Sequence, residues 1–358
     1  MAPVTRAMEM RSVVVTLGPP LEKPWWWDEI KADEELCDLE YQRVVFRKKT
    51  AQQISTRELV PFLLHMLPVY LRMRRRFDYV FTFECDLTTF ALAFWQKLLF
   101  QRRPRHVVLQ FIMREKTTAL SSRLKYAAMQ WCFSSLHRVI CSARREAEYY
   151  QAVFQWPCGR AAFVPFHTSR TLLEPGEVFD EGFVLAAGRS FRDYPTLLAA
   201  LGTDGPRAIV VAPRRAVSAP PEVKTLEVLE EISLPELDRL IRRARIVVVP
   251  LFDTNVSSGQ LVLLHAMALG KPVIATRTSG TEDYIESFVN GVLVPPSDPD
   301  ALRKAIDRLM LDVRLRKELG DRAREAVRRR HLPHHYTQAV RDVLKNGNGV
   351  AVTRQAAY

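Results

Sequence analysis

IVVVPLFDTNVSSGQLVLLHAMALGKPVIAT, residues 246–276, decides the fold. Residues 246–251 open on four β-branched residues and are free of charge, the pattern of a strand buried on both faces. Residues 260–269 form an apolar run long enough for a helix, and Gly270 stands where a helix ends. Residues 272–275 then begin a second apolar strand. A strand, a helix and a strand in about 30 residues make a βαβ unit with parallel strands.

The same alternation extends in both directions. Toward the N-terminus, 183–187 and 208–212 read as strands, with helices at 195–201 and 235–243. Toward the C-terminus, two charged helices follow at 298–310 and 313–330. The first half repeats the theme less cleanly: strands at 11–17, 78–83, 106–111, 137–141 and 162–166 alternate with helical patterns at 57–76, 87–100 and 118–136. Pro68 is expected to kink or end the first of these helices. The chain of 358 residues therefore reads as α/β with two doubly wound parallel sheets. The expected domains are 1–170 and 181–332, joined near 168–180, with a crossing segment at 333–345 and a loose tail at 346–358.

Composition excludes several classes. Hydrophobic residues make up 47% and charged residues 26%, so neither disorder nor a fibrous repeat is expected. The five cysteines include no C-x-x-C spacing, which speaks against a disulfide framework or structural zinc and for a reducing cytosol. No stretch at the start has the length of a signal peptide, and the apolar run 87–95 is too short to span a bilayer. No zinc finger, helix-turn-helix or aromatic RNA-binding signature is present, so nucleic acid is not the expected partner.

Two loops carry candidate chemistry. Ser257-Ser258-Gly259-Gln260 lies between a buried strand and an apolar helix, where free N–H groups and the positive dipole end suit a phosphate. Ser257 or Ser258 can cap that helix, and a plain capped loop is the competing reading. Gly188-Arg189-Ser190-Phe191-Arg192 follows the strand 183–187 and opens on the same sheet edge. Two arginines there can clamp a diphosphate, or simply face solvent.

The run SSGQLVLLHAMALGKPVIATRTSGTEDYIESFVNGVLVPPSDPDAL, with AAGRSFRDYPTLLAAL upstream, resembles the donor-binding half of retaining glycosyltransferases of family 4. The likeness is strong over 183–330 and weak over 11–170, where only the order of elements and CSARREAEYY…AAFVPFHT carry it. It implies the GT-B architecture, two Rossmann-like domains facing across a cleft that holds a nucleotide-sugar. It also implies transfer to a hydroxyl acceptor (glycan, lipid-linked or small molecule) with no cofactor and no catalytic metal. Such enzymes neutralise the leaving diphosphate with cationic side chains and a helix N-terminus. By resemblance, Gly188 and Arg189 contact phosphate, Arg192 substitutes for an absent lysine, and backbone N–H groups of Ser258, Gly259, Gln260 and Leu261 meet the distal phosphate. Asp283 falls on the acidic residue of the family's Gly-Gly-x-Pro-Glu stretch. The D-x-D at Asp298 and Asp300 precedes a helix and reads as a cap.

The departures matter. The family's two glutamates, with seven residues between them, are replaced here by Ser257 and His265. A neutral imidazole offers one acceptor nitrogen where a carboxylate offers several, so His265 is either a single-bond ribose contact or a satisfied core histidine. Glu84 and Glu115, each beyond a strand of the first half, are candidates to contact an acceptor hydroxyl, as is Asp86; ordinary loop carboxylates are the alternative. The altered pair also keeps open a non-catalytic glycosyltransferase-like binding subunit, and a GT-B-fold sugar-nucleotide epimerase by analogy of fold alone.

Lys and Arg number 52 against 40 Asp and Glu, a net charge of +12. From Arg72 to Lys125 there are twelve Lys/Arg and four acids, so most of the excess lies outside the nucleotide half. Interleaved with Tyr70, Phe77, Phe94, Trp95 and Phe100, this stretch suits an anionic membrane surface, at about 1 kcal/mol per well-placed cation. A solvated basic face is the alternative. The expected location is cytoplasmic, peripheral on the inner face of a membrane. Trp25-Trp26-Trp27 cannot all point inward from one face, so at least one is expected at a sugar ring or a membrane interface.

Overall fold

The structure, a computed structural model, describes residues 11–17, 40–46, 56–174, 176, 179–217 and 225–346. The tryptophan triplet, Cys37 and the tail beyond residue 346 lie outside the described residues. The chain divides into two units: Met1–Ser142, Ala147–Val164 and Ala339–Tyr358 form the first, Ala143–Glu146 and Pro165–Gln338 the second.

The first unit is built on strands β1 (Ser12–Leu17), β2 (Glu40–Val44), β3 (Tyr79–Phe83), β4 (Arg105–Leu109), β5 (Arg138–Cys141) and β6 (Ala161–Phe163), in the order β2-β1-β3-β4-β5-β6. Every pairing is parallel. Helices α1 (Leu59–Arg76), α2 (Leu87–Leu98) and α3 (Leu120–Phe133) follow β2, β3 and β4, and α2 packs between the other two. Pro68 does not end α1, which runs through it and buries Phe62, Met66, Tyr70 and Met73 on one face. That apolar face outweighs the one backbone bond that proline forfeits. Tyr70, Phe77 and Trp95 are buried; of the aromatic residues read beside the basic stretch, only Phe94 and Phe100 retain exposure. The three buried side chains pack in the core under β1 and β3.

The second unit holds β7 (Val184–Ala187), β8 (Ala208–Val211), β9 (Leu226–Leu229), β10 (Ile246–Val249), β11 (Val273–Thr276) and β12 (Val292–Val294), ordered β12-β11-β10-β7-β8-β9. These strands are parallel as well. Alternate residues serve opposite faces. Leu185, Val247, Val249 and Val273 pack with helices α6 (Leu234–Arg243), α7 (Gln260–Ala268) and α9 (Val313–Arg330). Val184, Ala186, Ile246, Val248 and Ile274 face α5 (Tyr194–Leu201) and α8 (Pro299–Leu311) instead. Both faces are covered, which explains the unbroken apolar runs in the sequence. Two further helices straddle the division of units: α4 (Arg144–Val153) and α10 (Pro333–Asn346).

Two local features fix this unit. Lys271 is buried, and its ammonium donates to the carbonyls of Phe179 (2.7 Å) and Ala244 (2.8 Å); burial lowers its pKa to about 8. Gly320 on α9 meets the backbone at the end of α7, where a Cβ would lie 2.1 Å from the carbonyl oxygen of Gly270.

Two predictions follow from these contacts and from the buried histidines. Gly320→Ala forces α9 off α7 and is expected to cost about 1–3 kcal/mol, read as a lower midpoint in urea; an unchanged midpoint contradicts the close approach. Burial pushes His137, His167 and His331 down to about 4 and His106 to about 3. An unfolded histidine titrates near 6.5, so below that pH the unfolded chain takes up protons that the folded chain refuses. Stability should be full above pH ~6.5 and fall as the pH drops toward ~4. Urea midpoints that stay constant from neutral pH to pH ~5 would refute this.

Candidate functional site

Strand order places the site before any residue is considered. In the second unit β7 has β10 on one side and β8 on the other, so the direction of winding reverses between β7 and β10. Loops at such a reversal part beyond the carboxyl ends of the strands and leave room for a ligand. Residues 188–193 leave β7 there, and residues 250–259 leave β10.

The two loops are knitted together. Asp193 N–H donates to the Pro250 carbonyl (3.1 Å) and Phe252 N–H to the Phe191 carbonyl (3.0 Å). Arg192 folds back over the strand end: Nε donates to the Ala187 carbonyl (2.8 Å), and Nη1 to the Ser190 carbonyl (2.8 Å) and Ser258 Oγ (3.1 Å). Gly188 makes this possible, since a Cβ there would lie 2.2 Å from the Arg192 guanidinium, and its φ of +130° is one that other residues rarely adopt. Burial lowers the Arg192 pKa. Arg192 thus shapes the loop, while Arg189, three residues earlier, is exposed. It has no hydrogen-bond or ion-pair partner among the described residues.

The serines do not cap α7. The N-cap is Gly259, at φ +93°, with no side-chain bond to the helix, and a Cβ there would meet Val249 Cγ1 at 2.9 Å. Ser258 Oγ donates instead to the Ser190 carbonyl (2.9 Å). Ser257 turns to Glu146, with N–H to Oε1 at 3.0 Å and Oγ–H to Oε2 at 2.6 Å. Ser257 is 1% exposed and Glu146 0%, so this pairing satisfies a carboxylate that could not otherwise stay buried. Gly259 thus offers the first-turn N–H groups of α7 no side-chain acceptor.

The loop after β11 closes in from the other side. Gln260 Nε2 donates to the Gly280 carbonyl (3.0 Å) and Ser279 Oγ to the Thr254 carbonyl (2.8 Å). A Cβ at Gly280 would fall 2.7 Å from Ser258 N; glycine keeps that backbone approach open. Asp283 accepts from Arg144 N–H (2.8 Å) and Nε (3.0 Å), placing its carboxylate on the positive end of α4. Leu261 is half-buried in the first turn of α7. His265 is buried on the same helix, with Nδ1 2.7 Å from Asp238 Oδ1 on α6. An Nδ1–H donated to Asp238 leaves Nε2 as the acceptor nitrogen.

The first unit carries the remaining candidates at its own carboxyl edge. Glu84 follows β3 at φ +57° and is exposed, its N–H held by the Leu109 carbonyl (2.9 Å). Glu115 is half-buried beyond β4. Its loop is fixed by Tyr150 Oη, which accepts from Met113 N–H (2.6 Å), and by Tyr149 Oη, which accepts from Lys116 N–H (2.8 Å). Asp86 caps α2 through Thr89 N–H (2.9 Å), and burial raises its pKa to about 6. Asp298 caps α8 through Ala301 N–H (2.8 Å). Among the described residues no group of three or more His, Cys, Asp or Glu is arranged to hold a metal ion.

Sequence reading missed Glu146 and Asp238. Each meets its partner across a long separation, 111 residues for Glu146 and Ser257 and 27 for Asp238 and His265. The available signal for Glu146 was its place directly after Arg144 and Arg145 in CSARREAEYY.

Residues 223–326 match the family model for glycosyl transferases group 1, less than a third of the chain. D-inositol 3-phosphate glycosyltransferase of Corynebacterium jeikeium is 42% identical over 88 residues, 25% of this chain and 20% of that protein. An uncharacterized glycosyltransferase of Methanocaldococcus jannaschii is 32% identical over 100 residues, 28% of each chain. The chain thus spans under a third of the length of either relative. Among solved structures, sucrose-phosphate synthase from Thermosynechococcus elongatus superposes with a TM-score of 0.71 at 16% identity, covering 94% of this chain and 99% of that one. HepE of Anabaena, in complex with UDP, gives 0.66 at 15% identity, with 94% and 100% covered. These likenesses show the fold, an α/β chain of GT-B type with two Rossmann-like parallel sheets.

Glu146→Ala strands the Ser257 N–H and hydroxyl without partners and is expected to destabilise the protein by about 1–3 kcal/mol. Glu146→Gln, which keeps one acceptor, should lose less. Equal stability of Glu146→Ala and wild type in urea would show that the pairing does not hold the loop.

Proposed function

We propose that the protein is a metal-independent retaining glycosyltransferase, moving a sugar from a nucleoside-diphosphate sugar to a hydroxyl acceptor. One observation carries the reading. An exposed Arg189, with no hydrogen-bond or ion-pair partner among the described residues, and the glycine-capped N-terminus of α7 share the winding reversal of one sheet, in the unit whose residues 223–326 match group 1 glycosyl transferases. Transfer leaves a nucleoside diphosphate, and its departure is helped by fixed positive charge and N–H groups aimed at the phosphates. Arg189 supplies the charge, and Ser258 to Leu261 supply the N–H groups. Arg192 acts by holding Ser258 and the 188–192 loop in place. His265 is assigned to ribose through Nε2, oriented by Asp238, and Glu84 and Glu115 to the acceptor hydroxyl. A uridine donor is the first to try, since the HepE structure contains UDP. The proposed location is cytoplasmic and peripheral to a membrane. Among the described residues no helix is long and apolar enough to cross one.

A second reading, a glycosyltransferase-like subunit that binds without turnover, is favoured by Ser257. Its hydroxyl and the carboxylate of Glu146 are engaged with each other and buried. Neither is free to support an oxocarbenium-like centre.

Release of nucleoside diphosphate from UDP-, GDP- and ADP-sugars, with and without EDTA, separates the readings. Turnover unaffected by EDTA is expected; tight binding with no turnover of any donor would replace the transferase by the binding subunit. Arg189→Ala removes charge-assisted bonds worth about 1.5–3 kcal/mol, a loss of roughly ten- to a hundredfold in nucleoside-diphosphate affinity. Unchanged affinity by calorimetry would reject the phosphate role.

A further inference from the structure

The least explained surface of the molecule is the outer face of α3 in the first unit. Leu120 is 70% exposed, Leu124 64% and Trp131 46%, and Ala127 and Ala128 between them are exposed too. Positions 120, 124, 127, 128 and 131 fall on one side of a helix. Only Tyr126, Cys132 and Phe133 of α3 are buried, so the helix is amphipathic with its longer apolar stripe facing outward. A single exposed leucine needs no explanation, but a continuous stripe does. Phe94 on α2, edge-on to Trp131 at 6.0 Å, widens the stripe. Phe100, 91% exposed just after α2, adds a further apolar side chain on the same layer.

The charge around this stripe selects its partner. Helices α1, α2 and α3 contain seven Lys/Arg and no Asp or Glu. Arg123 and Lys125 are exposed on α3 itself, and Arg72 and Arg75 on α1, where Arg76 is paired with Glu40 (2.8 Å). A second copy of the chain docked through this face would set one acid-free layer against another, like charge against like. An anionic bilayer offers both things that the surface lacks, phosphate for the cations and hydrocarbon for the leucines. Trp131 has the amphipathic ring that favours the boundary between them.

We infer that α3 lies in the interface of an anionic membrane, with Leu120, Leu124 and Trp131 inserted and Arg123 and Lys125 at the headgroups. The stretch that composition marks as basic thereby acquires a specific inserted helix. The inference needs no sugar nucleotide and stands apart from the transferase reading.

The test is flotation of the full chain with phosphatidylcholine vesicles, with and without phosphatidylglycerol. Wild type should float with the anionic vesicles alone, and less at high salt. Leu120→Ser combined with Leu124→Ser alters exposed positions and should leave the circular dichroism and nucleotide binding unchanged. Each leucine contributes enough apolar area that the pair should cost at least about tenfold in vesicle affinity. Arg123→Gln with Lys125→Gln should weaken binding and flatten its salt dependence. Absent flotation, or full binding by the leucine double variant, would overturn the assignment. So would dimerisation in sedimentation that the leucine variant abolishes, since the stripe would then belong to a second copy. Because flotation uses no donor, its failure leaves donor turnover to be judged by its own assay.

Discussion

Parallel strands can be joined only by crossing over the sheet, and that constraint organises everything else in this protein. Each crossover must be covered on both faces, so the strands become apolar throughout, and each returns its chain to the same end. The loops are therefore gathered at one edge of each sheet. In the second unit the reversal of winding between β7 and β10 leaves a gap at that edge. A helix N-terminus, a glycine at positive φ and two arginines stand around it.

How that edge is held rigid is a matter of backbone acceptors and one buried acid. Arg192 gives its donors to the Ala187 and Ser190 carbonyls and to a serine hydroxyl. Glu146, wholly buried, fixes Ser257 through two short bonds. Removing Glu146 would leave the buried Ser257 N–H and hydroxyl without partners, which costs more than the bond itself gains. The loops are thus preorganised before any ligand arrives, and Arg189 is left unencumbered beside them.

Much of this was legible in the sequence, for physical reasons that differ between elements. The strands at 184–187, 246–249 and 273–276 were plain because burial on both faces leaves no polar residue to interrupt them. Gly259 and Gly188 were marked by residue type, although the strain that requires them was not. The serine caps were misread: a serine before a helix suggests a cap locally, but here each hydroxyl finds a better partner outside the helix. Pro68 misled in the opposite sense, because tertiary packing of Phe62, Met66 and Tyr70 overrides a local breaker. Strands β2, β9 and β12 went unread: all three lie at sheet edges, and β2 and β9 are mixed in polarity. The Glu146–Ser257 and Asp238–His265 pairs were invisible because nothing local records which distant acid will arrive.

The acid-free character of the three-helix layer has one more consequence. Most protein surfaces change their electrostatic sign or strength on acidification, because carboxylates lose their charge. Here α1, α2 and α3 have no carboxylate to neutralise, and arginine holds its proton in any ordinary medium. Acidification therefore has no negative charge to erase within the layer. Its pull on an anionic partner is governed by dissolved ions, which shorten its reach to about 8 Å at physiological ionic strength, and by the charge density of whatever lies opposite. Such a surface answers first to ionic strength.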